Sequence, residues 1–214
     1  MSAPADHHVH TQFSWDAGAG AMEASCRRAL VLGLPAIAFT DHADFVEGVH
    51  QDLRPFDVER YLEEVERCRS LFPGLRILSG VELGEPHRFP DQAEHVLRCG
   101  RLERVLGSVH CLVWEGRTMD ASQLPRLEAG AVPDAFRSYL GETLALVESP
   151  QPFQALAHLD YPKRYWPHAD LPFREEDFEE ELRAILRALA ARGSALEINT
   201  TRGAEPSRGL CPGE

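Results

Sequence analysis

Histidines and carboxylates recur in this sequence in a pattern that could bind divalent metal ions. The chain contains ten histidines, several of which follow short apolar runs. Neutral imidazole nitrogens combined with carboxylate oxygens suit Zn²⁺, Mn²⁺ or Fe²⁺, whereas a calcium site is built mostly from oxygen. The motifs that carry these side chains are His8-Val9-His10, Thr40-Asp41-His42, Val81-Glu82-Leu83, Ser108-Val109-His110 and Ala157-His158-Leu159-Asp160.

Taken together, these motifs supply more donors than one ion can use. With Glu82 and Asp16 added, the set exceeds the four ligands of a tetrahedral ion. The pattern therefore predicts a multinuclear centre with Glu82 as a bridging carboxylate. A single strand-end histidine is more often a hydrogen-bonded structural residue, and Asp41 alone could cap a helix. As a functional residue, Asp41 is expected to orient His42.

The elements that position these motifs alternate along the chain. Short runs rich in Val, Ile, Leu or Ala predict strands, and between them apolar residues three or four apart predict helices. Residues two apart on a strand point to the same face, so His8 and His10 can grip one ion. The predicted strands are His7–Thr11, Ala36–Thr40, Arg76–Leu83, Val105–Val109, Ala155–Leu159 and Ala195–Asn199.

Six such βα-type units in series predict an α/β fold with a parallel sheet, either a barrel or an open sheet. The ligand-type residues favour the barrel, because its strand ends converge on one rim where active sites are built. The Gly- and Pro-containing region Trp114–Pro133 is expected to be an excursion or lid. We expect residues 1–214 to form a single domain.

Composition narrows the classes of partner. The 214 residues carry 22 Lys and Arg against 34 Asp and Glu, a formal net charge of −12, with 43% apolar and 26% charged residues. An acidic surface disfavours nucleic acid as the main partner, although local cations can still bind a small anion. No apolar run approaches a membrane span and the start lacks signal-peptide features. Five scattered cysteines without a CxxC motif predict reduced thiols in a cytoplasmic protein. The oligomeric state is left open.

The remaining five histidines do not follow the pattern. His7 alternates away from the His8 and His10 pair, and the others lie in predicted loops or helices. We expect solvated surface roles for these five, with His87 the least typical. They are His7, His50, His87, His95 and His168.

The ordered motifs resemble those of the PHP (polymerase and histidinol phosphatase) superfamily, over nearly the whole chain. The features most similar to its histidinol-phosphatase branch are Gly107–His110, His158-Leu159-Asp160-Tyr161 with Lys163-Arg164-Tyr165, and Leu196-Glu197-Ile198-Asn199-Thr200. The resemblance implies a distorted (βα)7 TIM-like barrel with a trinuclear metal centre. It assigns His8, His10 and Glu82 to one ion, Glu82, His110 and His158 to a second, and Asp16 with His42 to a third.

The sequence departs from the family pattern at its end. Such enzymes have a final Asp-x-His motif that supplies two further ligands, and this chain runs from Asn199 only to Glu214 without one. We therefore expect the last βα unit to be missing and the domain to be incomplete at its C-terminus, so that this chain itself could be inactive.

The resemblance implies a metal-dependent phosphatase that hydrolyses a small phosphate monoester, namely L-histidinol phosphate in histidine biosynthesis. Glu82, His110 and Asp41 are the expected catalytic residues. Arg164, Lys163 and Arg202 follow the fifth and sixth strands and are candidate cations for the substrate phosphate, although each could equally be a solvated loop charge. Two alternatives remain: a phosphoesterase for another monoester or a nucleotide, and a catalytically silent metal-binding module.

Overall fold

The computed structural model describes residues 4–18, 20–49, 53–167, 171–200 and 211–212. The chain divides into two compact units. The first contains Met1–Phe45, Gln51–Gly84 and Phe89–Leu106, and the second contains Val46–His50, Glu85–Arg88 and Gly107–Glu214. Among the described residues, none of the helices is both long and apolar enough to span a membrane.

The first unit alternates strands and helices, as the sequence predicts. Parallel pairs join β1 to β2, β2 to β4 and β3 to β4, and β5 follows β4 in the sheet order. The elements are β1 (Asp6–Val9), α1 (Met22–Leu32), β2 (Ala36–Phe39), β3 (His42–Ala43), α2 (Val58–Leu71), β4 (Arg76–Gly84), α3 (Pro90–Arg98) and β5 (Arg104–Ser108), which ends in the second unit.

Strand β4 is the central strand of the first unit. Every residue after Arg76 in its nine-residue span is buried, including the polar Ser79 and Glu82. A strand covered on both faces reads as a nearly continuous apolar run, which explains why Ile77, Leu78 and Val81 occur here without alternation. Glu82 is therefore held by an element that cannot shift without exposing apolar surface.

Helix α2 packs on this sheet through residues three and four apart. Val58, Tyr61, Val65 and Cys68 form its buried face, and the Asp57 carboxylate caps its start by accepting the Arg60 N–H at 3.1 Å. Leu62, beside this face, is only half-buried, while Tyr61 is fully buried.

The Tyr61 hydroxyl links two strands next to the metal-ligand motifs. It donates to the carbonyl of Phe39 on β2 at 2.7 Å and accepts the N–H of Gly80 on β4 at 2.8 Å. A side chain at position 80 would not fit, since a Cβ there would lie 2.7 Å from the Arg104 carbonyl oxygen. Burial raises the pKa of Tyr61 well above its usual value, so the hydroxyl stays neutral.

The second unit contains a hairpin, two helices and a short parallel pair. Strands β6 (Cys111–Trp114) and β7 (Arg117–Asp120) pair antiparallel, and β8 (Ala155–Leu156) pairs parallel with β9 (Ala195–Leu196). Helices α4 (Val132–Glu148) and α5 (Glu179–Arg192) each bury an apolar face, which includes Phe136, Leu140 and Ile185.

Two features of this unit bear on the sequence prediction. The region Trp114–Pro133, expected to be an excursion or lid, contains the turn and second strand of the β6–β7 hairpin, followed by 3₁₀ turns whose Ala121 and Leu124 are fully buried. The strands expected at Ala155–Leu159 and Ala195–Asn199 pair regularly over only two residues each. His158 accounts for the first shortening, because its φ of 23° takes the backbone out of the extended region.

We expect Tyr61→Phe to lower the free energy of unfolding by about 1–3 kcal/mol, since it leaves a buried N–H and a buried carbonyl without the hydroxyl. Denaturant unfolding followed by circular dichroism measures the change. Tyr165→Phe is the matched control, because it removes a hydroxyl from a half-exposed residue and should have a smaller effect. Equal effects of the two substitutions would contradict the proposed link.

Candidate metal centre

Three histidine nitrogens of the first unit face one oxygen of Glu82. The distance to Glu82 Oε2 is 3.1 Å from His8 Nε2, 3.1 Å from His10 Nε2 and 3.2 Å from His42 Nδ1. The Glu82 side chain is fully buried and His8, His10 and His42 are buried or half-buried. Strands β1, β3 and β4 thus deliver ligand-type atoms to a single point.

The spacing of these atoms fits a divalent metal ion. His8 Nε2 and His10 Nε2 lie 3.0 Å apart, and each lies 3.1 Å from Glu82 Oε2. Donors that share one tetrahedral zinc at about 2.0–2.1 Å lie roughly 3.3 Å from one another. The residues present are therefore of the right type and close to the right spacing for such an ion.

Asp16 adjoins His10 and His42. Its carboxylate oxygens lie 3.1 Å from His10 Nδ1, and Oδ2 lies 3.5 Å from His42 Nε2. These three residues form a second group that could hold a metal ion, alongside the group of His8, His10 and Glu82. The first unit therefore brings together all five of its sequence-predicted ligands.

The electrostatics of this cluster favour positive charge. Burial lowers the pKa of His10, but hydrogen bonds to Asp16 and Glu82 outweigh it and raise the pKa to about 9. Burial also lowers the pKa of His42, but the negative charges of Asp44 and Glu82 outweigh it and raise the pKa to about 9. The pKa of Asp16 is well below its usual range, because its hydrogen bonds to His10 and His42 outweigh burial. A metal ion would replace protons on these imidazoles, so protons and metal compete here.

The loop after β1 is held in place by hydrogen bonds from Arg54. The Arg54 guanidinium donates to the carbonyl of Gln12 at 3.0 Å and to that of Ser14 at 3.2 Å. The Ser14 hydroxyl in turn accepts the backbone N–H of His42 at 2.9 Å. These contacts fix the segment that carries Asp16 against the start of β3.

Asp41 contacts Thr11 and does not orient His42 as the sequence analysis expected. Its Oδ1 accepts the Thr11 N–H at 2.6 Å and its Oδ2 accepts the Thr11 hydroxyl at 2.9 Å. Burial raises the pKa of Asp41, opposed by these hydrogen bonds. Asp44, which the sequence analysis missed, faces His42 instead, with Oδ2 3.3 Å from Nδ1. Its spacing of two residues from His42 was the available signal.

The second unit brings His110 and His158 together, with ring centroids 5.3 Å apart. Glu85, also missed, has a φ of 46° and accepts the backbone N–H of both His110 and Cys111. Glu197 accepts the backbone N–H of His158 at 2.9 Å. Non-glycine residues in the left-handed region are uncommon and concentrate at functional sites, and both Glu85 and His158 lie there.

The three candidate phosphate-binding cations differ in their surroundings. The Lys163 ammonium lies 2.9 Å from Glu175 and 3.6 Å from Asp160, so acidic side chains already neutralise it. The Arg164 guanidinium lies over the Tyr161 ring at 5.2 Å from its centroid, and that ring also contacts His110 and His158. Arg202 lies outside the described residues.

The histidines expected at the surface also differ. His7 and His95 are exposed, whereas His50 and His168 lie outside the described residues. The His87 ring is largely buried, and its Nε2 lies 3.1 Å from Glu142 Oε2. The hydrogen bond with His87 holds the pKa of Glu142 below its usual value. The expected surface role is therefore wrong for His87.

We expect Thr11→Val to lower the free energy of unfolding by about 1–2 kcal/mol, because it leaves the buried Asp41 carboxylate without one of its donors. Thr11→Ser keeps the hydroxyl and is the control, with an expected value close to that of the original chain. Denaturant unfolding measures both. A neutral Thr11→Val would mean that Asp41 depends on other partners.

Comparison with known proteins identifies the family. A family model described as PHP domain matches residues 6–201. The chain is 30% identical over 201 residues to "Histidinol-phosphatase" of Lactococcus lactis, covering 91% of this chain and 71% of that protein. It is 32% identical over 196 residues to "Probable histidinol-phosphatase" of Thermotoga maritima, with 91% and 69% coverage.

Solved structures agree with this match. The crystal structure of histidinol phosphate phosphatase from Lactococcus lactis, complexed with zinc, L-histidinol and phosphate, superposes with a TM-score of 0.80 at 28% identity and covers 96% of this chain and 77% of that one. A Listeria monocytogenes structure at 16% identity has a TM-score of 0.72, with 98% and 87% coverage, and supports the fold alone. This chain therefore belongs to the PHP domain family, in the histidinol-phosphatase branch that its motifs predict.

Proposed function

We propose that this chain is a metal-dependent phosphatase that hydrolyses L-histidinol phosphate to L-histidinol and inorganic phosphate. The observation that carries the proposal is the convergence of His8, His10 and His42 on one buried oxygen of Glu82. Two relatives at 30% and 32% identity, named histidinol-phosphatase and probable histidinol-phosphatase, support the choice of substrate. A structural neighbour that holds zinc, L-histidinol and phosphate supports both the metal and the products.

We propose that two to three divalent ions of the Zn²⁺, Mn²⁺ or Fe²⁺ class bind to this chain. His8, His10, Asp16, His42 and Glu82 would hold them in the first unit, and His110 and His158 are proposed ligands in the second. Such ions supply charge stabilisation for a transferring phosphoryl group and activate water for attack on phosphorus. Parallel strand pairs occur in both units of the chain. The seven βα repeats that the resemblance implies stay a prediction.

The residues of the chain contribute position and charge. Glu82 is buried and cannot rotate into solvent. It therefore fixes the position of the oxygen that His8, His10 and His42 face. Asp16 and Asp44 favour positive charge at His10 and His42, which matches a site for cations facing an anionic substrate. Arg164 is proposed to contact the substrate phosphate in preference to Lys163, because Glu175 and Asp160 already pair with Lys163.

Glu82→Gln should reduce phosphate release from L-histidinol phosphate by at least about 10³-fold, since the amide cannot supply the negative charge that shared metal ions require. The measurement is steady-state phosphate release with metal supplied in excess. Glu142→Gln is a matched control, because it alters another Glu–His pair, with His87, which belongs to the second unit. Retained turnover in Glu82→Gln would place the centre elsewhere.

Removal of metal by a strong chelator should abolish phosphate release, and addition of Zn²⁺, Mn²⁺ or Fe²⁺ should restore it. Metal analysis of the purified chain should give two to three ions. A stoichiometry near zero, together with turnover that resists chelation, would contradict the metal-dependent reaction.

Substrate choice is tested with a panel of monoesters at equal concentration. L-histidinol phosphate should be hydrolysed with the highest kcat/KM, ahead of a sugar phosphate and a nucleoside monophosphate. A preference for the nucleotide would favour the alternative phosphoesterase. Metal binding without hydrolysis of any monoester would favour a catalytically silent module.

A further inference from the structure

Three consecutive residues surround His42 on three sides. The Ser14 hydroxyl accepts its backbone N–H at 2.9 Å. The Trp15 indole stacks on its ring at 5.2 Å between centroids and 25° between planes. Asp16 Oδ2 lies 3.5 Å from its Nε2. The histidine is thus held through its backbone, its ring face and its ring edge by one segment of the chain.

Trp15 also holds the carboxylate that faces the other edge of this ring. The indole Nε1–H donates to Asp44 Oδ2 at 2.8 Å, and the same oxygen lies 3.3 Å from His42 Nδ1. An indole N–H can only donate, so Asp44 must accept. Its oxygen therefore presents negative charge toward Nδ1, as does Glu82 Oε2 at 3.2 Å.

Gly84 makes room for this carboxylate. A Cβ at position 84 would lie 2.1 Å from Asp44 Oδ1, closer than any non-bonded contact. Asp44 is 8% exposed, so it has little solvent to move into. The position of Asp44 thus depends on Trp15 at one oxygen and on the absence of a side chain at residue 84 near the other.

We propose that Trp15 is a positioning residue for His42 as a metal ligand. Its N–H holds Asp44 against Nδ1, and its ring fixes the imidazole plane. With the ring held in this plane, Nε2 stays beside Asp16 Oδ2, where a divalent cation would bind. The inference rests on the metal centre of the proposed function and adds a residue that is not itself a ligand.

The test is the affinity of the metal-free chain for Zn²⁺, measured by competition with a chromophoric chelator. Trp15→Phe keeps a stacked ring and loses the N–H, and should weaken Zn²⁺ binding about 10-fold. Trp15→Leu loses both and should weaken it more, toward about 100-fold. Trp114→Phe is the matched control and should stay within about twofold, since partners outside the ligand set change affinity only when they orient a ligand.

Gly84→Ala disturbs the contact between Trp15 and Asp44 without altering the Trp15 or His42 ring. It should displace the Asp44 carboxylate and weaken Zn²⁺ binding to the same extent as Asp44→Asn. Combining Trp15→Phe with Asp44→Asn should add little to the stronger single effect, because both act through one hydrogen bond. Circular dichroism and denaturant unfolding show which variants remain folded, and the affinities are compared among those.

Fluorescence gives a readout that does not depend on stability. The chain has three tryptophans, so Trp114→Phe with Trp166→Phe leaves Trp15 as the sole emitter. Co²⁺ added to this metal-free variant should quench Trp15 emission in step with binding.

Zinc affinity unchanged within twofold in both Trp15 variants would overturn the positioning role while leaving the proposed function intact. Failure of the original chain to bind Zn²⁺ would overturn the metal centre and this role together.

Discussion

The first unit is organised around the buried carboxylate of Glu82. Glu82 has no solvent exposure, and an ionised carboxylate removed from water is strongly destabilising unless charged or hydrogen-bonding partners surround it. The histidines at 3.1–3.2 Å from its Oε2 meet that requirement. These partners come from β1, from the residue after its end and from β3. The pairing of the strands therefore also brings the partners of this charge into place. The same contacts concentrate imidazole nitrogens where a cation can replace their protons.

Much of this site can be predicted from the sequence, because strand geometry is periodic. His8 and His10 are two residues apart and reach the same oxygen, as an extended chain requires. The predicted strands Ala36–Thr40, before His42, and Arg76–Leu83, which contains Glu82, correspond to β2 and β4, which pair directly in the sheet. Side-chain type and spacing therefore place His8 and His10 together, whereas the grouping of the candidate ligand Asp16 with His42 depends on the family resemblance.

The same periodicity explains why Asp41 was assigned the wrong neighbour. Adjacent residues in an extended segment point to opposite sides, so Asp41 turns away from His42 and meets Thr11. Asp44, two residues after His42, shares its side. Other partners could not be foreseen, because they are distant in sequence. His87 meets a carboxylate 55 residues away, and the acid that neutralises Lys163 lies on a later turn. No local pattern encodes such pairs.

Strand β1 has a consequence for how the chain opens and closes. It has four residues, stands at the end of the sheet order in the described part of the chain, and shifts register against β2 between Asp6 and Val9. Short terminal strands belong to the low-stability end of a protein's local unfolding spectrum. Among the described residues, the strand that contributes His8 and leads into His10 is thus held in the sheet through one neighbour only, in a register that shifts. A free metal ion at 100 times its dissociation constant would raise the free energy of this local unfolding by about 2.7 kcal/mol, if it binds only the closed state. Amide hydrogen exchange along β1 would then report metal occupancy more directly than exchange in the buried strand β4.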